Sequence, residues 1–124
     1  MAFFHFQDTI LWKEKKSMLV SVVIPAYNEE NYLPATIASI RQSFDALPHK
    51  KYEIIVADDA STDRTADLAQ ELGARVVYSG KRNIGATRNI GANEANGEVL
   101  LFFDADSLLN PNTLKAMFYA LDEG

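Results

Sequence analysis

Two rhythms of hydrophobic residues alternate along this chain. Short apolar runs rich in β-branched residues occupy positions 19–24, 52–57, 74–78 and 99–103, each bounded by turn-forming residues, as buried strands of a parallel sheet are. Pro25 closes the first of them. Between the runs the spacing becomes helical. Leu33, Ile37, Ile40 and Phe44 share one face, with Pro34 tolerated in the first turn. Ala66, Ala69 and Leu72 do the same ahead of Gly73, with Ser61 or Thr62 available as the cap. Residues 83–96 read as a helix weakened by Gly85 and Gly91, small residues that let a backbone or a ligand come close. Asn110 as cap, Pro111 at the first position and Leu114, Met117, Phe118 and Leu121 as apolar face define a last helix.

The order β-α-β-α-β-α-β-α predicts an α/β fold, a mostly parallel sheet with helices on both faces and right-handed crossovers. The unbroken run at 99–103 reads as a strand buried on both sides, in the middle of that sheet. Residues 1–18 follow another pattern. Phe3, Phe4, Phe6, Ile10, Leu11 and Trp12 can form one face of a short helix before a charged stop at 13–16. They are expected to be an extension packed on a domain comprising residues 19–124, or a poorly ordered leader, in preference to a membrane-surface anchor.

Composition narrows the class. A chain of 124 residues, 48% hydrophobic and 23% charged, is enough for one domain with its own core. The net charge of -5 disfavours a nucleic-acid backbone as partner. With no cysteine there is no disulfide, thiolate metal site or thiol nucleophile, and a reducing, cytoplasmic compartment is the expectation. No apolar stretch approaches the roughly 20 residues needed to span a bilayer.

The polar residues that stand out fall at the C-terminal ends of predicted strands: 25–30, 58–63 and 104–106. In open α/β sheets these ends share one edge, where ligands bind. Asp104 and Asp106 can converge on one hard cation and a phosphate. Asp59 can accept from a base or a ribose hydroxyl, and Tyr27 offers a flat face for a nucleobase. Lys81, Arg82 and Arg88 are candidates to face a diphosphate. Turn and cap duty is the competing account for Asp58, Asp59 and Asp63, and solvated surface positions for His5 and His49. Residues 26–31 contain no glycine, which argues against a dinucleotide or P-loop phosphate cradle.

Four stretches in series, VSVVIPAYNEENYL, EIIVADDASTDRTADLA, RNIGATRNIGANEANGE and VLLFFDADSLLNP, make residues 20–121 resemble the nucleotide-sugar-binding half of an inverting family 2 glycosyltransferase with the Rossmann-like GT-A fold. The resemblance implies that Pro25, Tyr27, Glu29 and Asp59 hold the nucleoside, with Asp59 on the base and Tyr27 against it. Asp104 and Asp106 would be its DXD pair, the first meeting ribose or metal and the second binding Mg or Mn on the diphosphate. The segment from Arg82 to Arg88 would contribute a basic phosphate contact. The implied donor is a UDP- or GDP-linked sugar and the acceptor a sugar or lipid, at the inner face of a membrane in the full-length context.

That family draws its general base from a carboxylate beyond the DXD strand. Asp122 and Glu123 lie at the far end of a helix and do not fit the role. The expectation is therefore a chain resembling the first part of a longer one, which binds donor with a divalent ion and by itself transfers sugar slowly or not at all. Bare apolar surface would then favour self-association. Two other readings compete: a nucleotide-binding assembly module without activity, and a haloacid-dehalogenase-type phosphatase with Asp104 as nucleophile. The second fits poorly, because that motif opens on a first strand and this one comes fourth.

Overall fold

The computed structural model describes residues 18–123, in which strands and helices alternate. They are β1 (Leu19–Ala26), α1 (Leu33–Asp45), β2 (Lys51–Asp58), α2 (Thr65–Glu71), β3 (Arg75–Tyr78), α3 (Ile84–Asn93), β4 (Val99–Phe102) and α4 (Pro111–Glu123). All pairings are parallel, in the order β3-β2-β1-β4. The α/β class and the helices on both faces are as expected. The helix anticipated within residues 1–18 lies outside the described residues, save Met18.

Alternation along β1 divides the core. Val20, Val22 and Ile24 face α1, α2 and α4, meeting Leu33, Ile37, Ile40, Phe44, Ala69, Leu114 and Phe118. Phe44 anchors this layer, stacked on Tyr52 at 4.1 Å between centroids and edge-on to Phe118 at 6.3 Å. The opposite face carries Val23 and Ala57, against which α3 packs at Gly91. A Cβ there would stand 2.6 Å from Val23 Cγ1, so the glycine that weakens the helical pattern is what lets the helix approach the sheet.

Ser21, fully buried on that second face, is the polar exception. Its hydroxyl donates to Glu53 on β2 at 2.5 Å and accepts from the Gly97 N–H at 2.8 Å. The Asn96 N–H also donates to Glu53, at 2.7 Å, and Arg75 reaches the same carboxylate at 3.4 Å. This cluster pins the turn before β4 onto the sheet. Partial burial opposes ionisation of Glu53, but the bonds from Ser21 and Asn96 and the Arg75 charge outweigh it and hold the carboxyl below its ordinary 4.5.

Four expectations need correction. Among the described residues the run at 99–103 lies at the edge of the four-stranded sheet and not in its middle: Val99 and Leu101 face the core, while Leu100 and Phe102 are each 42% exposed. An unbroken apolar run shows that both faces can be covered, not that both are. β1 and β2 take the middle instead. β1 also runs through Pro25 to Ala26. Val23 points its carbonyl towards β4, where it accepts from Phe103, so by alternation Pro25 faces the same side, just past the end of β4, where an N–H would have no strand to bond. Neither Ser61 nor Thr62 caps α2; the Asp63 carboxylate accepts from the Thr65 N–H at 2.9 Å, while Ser61 and Thr62 bond Asn28. Finally, α3 is confined to Ile84–Asn93, with Asn83 as its cap.

Two outcomes follow for stability. A Cβ on Gly97 would meet the Leu19 carbonyl oxygen at 2.5 Å and the Ser21 nitrogen at 2.9 Å. Backbone cannot yield as a side chain can, so Gly97→Ala should lose roughly 1–3 kcal/mol in urea unfolding, and an unchanged midpoint would refute the close approach. For Glu53 the depressed native pKa favours the folded state above pH 4.5, and that contribution disappears as pH falls through the native value. Glu53→Gln should therefore be less stable than the parent at pH 7 by about 1 kcal/mol, with the gap closing in acid. A gap that widens on acidification would contradict this.

Candidate functional site

The strand order reverses at β1: the chain passes outward through β2 and β3, then returns to place β4 on the other side. Ligands of open α/β sheets bind at such a switch point, beyond the carboxyl ends of the strands. All three acidic clusters singled out in the sequence lie at this edge. A cleft of about 260 Å³ opens there, lined by Pro25, Ala26, Tyr27, Glu29, Asp59, Arg82, Asn83, Ile84 and Thr87.

The loops that rim the cleft are stitched together side chain to backbone. The Asn28 N–H donates to Ser61 Oγ at 2.9 Å, and Asn28 Oδ1 accepts from the Thr62 N–H at 2.8 Å. The Glu29 N–H donates to Thr65 Oγ1 at 2.8 Å, and the Glu30 N–H to Asp63 Oδ2 at 3.2 Å. Asn28, Ala60 and Arg82 all adopt left-handed backbone, with φ of 53°, 63° and 51°. Non-glycine residues hold such conformations only where surrounding bonds over-determine them, and they cluster at ligand sites.

Asp59 forms the floor. It is buried, its N–H donates to the Ala26 carbonyl at 2.9 Å, and Oδ1 accepts from the Arg82 N–H at 2.7 Å. Its Oδ2 takes no hydrogen bond among the described residues. Above it the Arg82 guanidinium lies 4.0 Å from the centroid of the Tyr27 ring, a cation–π pair that forms one wall. The cap of α3 borders the same space, since Asn83 Oδ1 accepts from the Ala86 N–H at 2.8 Å. The positive end of a ten-residue helix therefore faces the cleft.

Asp104 and Asp106 sit on the turn after β4, closed by the Ser107 N–H donating to the Asp104 carbonyl at 3.2 Å. Both are exposed and Ala105 between them is buried. Glu29 links this turn to the cleft. Its carboxyl is pushed above the usual range by partial burial first, then by the charges of Asp106 and Asp63. Among the described residues no three carboxylates or imidazoles are grouped closely enough to enclose a metal ion.

Of the residues singled out in the sequence, Pro25, Tyr27, Glu29, Asp59 and Arg82 line this one cleft, and Asp104 does not. Arg88 is elsewhere. It lies on α3 with its guanidinium 5.9 Å from the Phe102 ring, and its Nε is buried without a hydrogen-bond partner. Lys81 is exposed and lines nothing in the cleft. Asn83, Ile84 and Thr87 were missed as lining residues; Asn83 as a helix cap was the only available signal, because the others read as ordinary helix positions.

The family profile described as Glycosyl transferase family 2 matches residues 21–124. The poly(ribitol-phosphate) beta-N-acetylglucosaminyltransferase TarS of Staphylococcus aureus is 33% identical over 113 residues, which is 86% of this chain and 19% of that protein. The 4,4'-diaponeurosporenoate glycosyltransferase of Staphylococcus haemolyticus is 39% identical over 98 residues, 73% of this chain and 25% of its own length. Among solved structures, TarS 1–349 in complex with UDP superposes with a TM-score of 0.68 at 31% identity, covering 86% of this chain and 32% of that one. Glucosyl-3-phosphoglycerate synthase from Mycobacterium tuberculosis, in complex with Mn2+, UDP and glucosyl-3-phosphoglycerate, gives 0.64 at 29% identity over 98% of this chain and 46% of its own. The chain spans less than half the length of each of these relatives. With the profile matched almost throughout and the same α/β sheet in the solved relatives, the chain belongs to glycosyl transferase family 2 and has the GT-A fold.

Proposed function

We propose that this domain binds a uridine diphosphate sugar with a divalent ion, Mg or Mn, and forms the donor half of an inverting glycosyltransferase. The observation that carries the reading is Asp59, a buried carboxylate at the floor of the cleft with one oxygen committed to the Arg82 N–H and one still able to accept. Uracil presents a single edge donor, N3–H, between two carbonyls. Guanine presents two adjacent donors and would call for both carboxylate oxygens. One free acceptor favours uracil, stacked against Tyr27. UDP is also the nucleotide in the TarS and glucosyl-3-phosphoglycerate synthase complexes.

Asp104 and Asp106 would hold the ion, and their donor set fits it. Two exposed carboxylates flank the buried Ala105, and the Glu29 carboxyl, raised first by partial burial and then by the charges of Asp106 and Asp63, lies within their field. Such ions commonly take one or two carboxylates and complete their shell with substrate phosphates and water. The ion would supply Lewis-acid stabilisation of the departing diphosphate. The chain's own residues bind and orient the donor: Tyr27 and Asp59 hold the base, and Arg82 and the N-terminal end of α3 lend positive potential to the phosphates. An acceptor hydroxyl must lose its proton as it attacks the anomeric carbon from the opposite face. The family resemblance draws that base from a carboxylate beyond the DXD strand, and on this proposal transfer by this chain alone is slow or nil.

The outer edge of β4 belongs to the same proposal. Among the described residues it pairs with no further strand, and it offers exposed Leu100 and Phe102 and an apolar cavity of about 360 Å³ between β4 and α4. A second copy of the chain, pairing edge to edge about a two-fold axis, is the proposed occupant.

Calorimetry with UDP and Mn2+ should show binding that is tighter than for GDP. Asp59→Asn should weaken it by roughly 10- to 100-fold, as expected for loss of a charge-assisted bond, and Asp106→Ala should abolish the Mn2+ dependence. Equal affinity for UDP and GDP would sink the uridine assignment, and metal-independent binding in the parent would sink the role of the acidic pair. Sedimentation velocity should find concentration-dependent dimers that Leu100→Lys disperses; a parent chain that stays monomeric across the micromolar range refutes the edge pairing.

A further inference from the structure

We infer that Thr36 and Ser39, two hydroxyl residues of α1, are positioning residues for Asp104 and Asp106. The inference rests on the reading that those two acids carry the divalent ion, and it assigns a cause to their geometry.

β4 stops at Phe102, and the last ladder bond on that side is from the Phe103 N–H to the Val23 carbonyl at 3.0 Å. Beyond this point the sheet no longer dictates the path of the chain. Two groups of α1 take over. The Thr36 hydroxyl donates to the Ala105 carbonyl at 2.8 Å, across 69 residues of sequence and with both partners buried. One helical turn later Ser39 Oγ accepts from the Leu109 N–H at 2.9 Å, and donates in turn to the Thr36 carbonyl at 2.7 Å. The acidic turn is thereby clamped on both sides of Asp106, with the buried Ala105 and Leu109 side chains as its feet.

The consequence is directional. With Ala105 turned into the protein and its carbonyl occupied, the two flanking residues are left facing outward, so both carboxylates are presented together. Among the described residues no hydrogen bond joins Thr36 or Ser39 to either acid side chain. A carbonyl as deeply buried as that of Ala105 must have a donor, and Thr36 is the one that supplies it. Residues that orient metal ligands without touching the metal typically change its affinity by about 10- to 100-fold when removed.

Thr36→Val keeps the shape and removes the donor, while Thr36→Ser keeps the donor. Each is titrated with UDP, with and without Mn2+, beside the parent chain. Thr36→Val should retain the metal-free affinity, which depends on Tyr27 and Asp59, and lose about tenfold of the Mn2+-dependent tightening; Thr36→Ser should restore it. A Thr36→Val chain with full Mn2+-dependent tightening overturns the inference, as does a Thr36→Ser chain as defective as Thr36→Val. Should Thr36→Val fail to fold, Ser39→Ala, which removes the acceptor of the Leu109 N–H, takes its place: about tenfold less Mn2+-dependent tightening is expected, and full tightening overturns the inference. A parent chain without any Mn2+-dependent tightening overturns the metal reading itself, which separates that failure from failure of the clamp.

Discussion

β1 is hydrogen-bonded on both sides as far as Val23 and on one side only from there to Ala26, and the site exists because of that asymmetry. A parallel strand that loses one neighbour leaves a gap at the sheet edge as wide as a strand. Pro25 sits where the missing N–H does no harm, and the β2 side keeps its bonds through the Asp59 N–H to Ala26. The cleft, the loops that rim it and the divergence of the acidic turn all follow from where β4 stops.

Around that gap the chain gathers negative charge against its own interest. Glu29, Asp63 and Asp106 are near enough for their fields to disfavour ionisation of Glu29. What offsets this within the chain is modest: the end of α3, the Arg82 guanidinium over Tyr27, and loop N–H groups spent on Asp63 and Asp59. The left-handed backbone at Asn28, Ala60 and Arg82 belongs to the same pattern of local cost at the site. It is held by a sheet whose middle is largely apolar, with Ser21 the buried polar exception, and by an α1 that supports β1 and the acidic turn together.

Much of this is legible in one dimension because it depends on local chemistry. The four strands and four helices follow from apolar spacing, Pro34 and Pro111 mark helix starts, and the acids at strand ends are visible as such. That Pro25, Tyr27, Glu29, Asp59 and Arg82 meet follows from parallel order alone, since every strand of such a sheet ends at the same edge.

What tertiary structure decided is what depends on neighbours far along the chain. The run at 99–103 has the composition of a central strand, and only the strand order of the described residues puts it at an edge. Ser61 and Thr62 are good cap residues, yet their bonds go to Asn28, more than thirty positions away. Arg88 differs from Arg82 only by falling on the inner turns of α3, which sends it to Phe102 rather than to the cleft. Thr36 and Ser39 carry no local signal at all, because a hydroxyl on a helix gains its partner from packing. By itself, the sequence determined the elements, the parallel order and the acids at the ends of the strands, all governed by periodicity and side-chain chemistry. Only the fold decided the order of the strands and which hydroxyls hold Asp104 and Asp106 in place, because a buried hydrogen bond is chosen by the three-dimensional need of its acceptor.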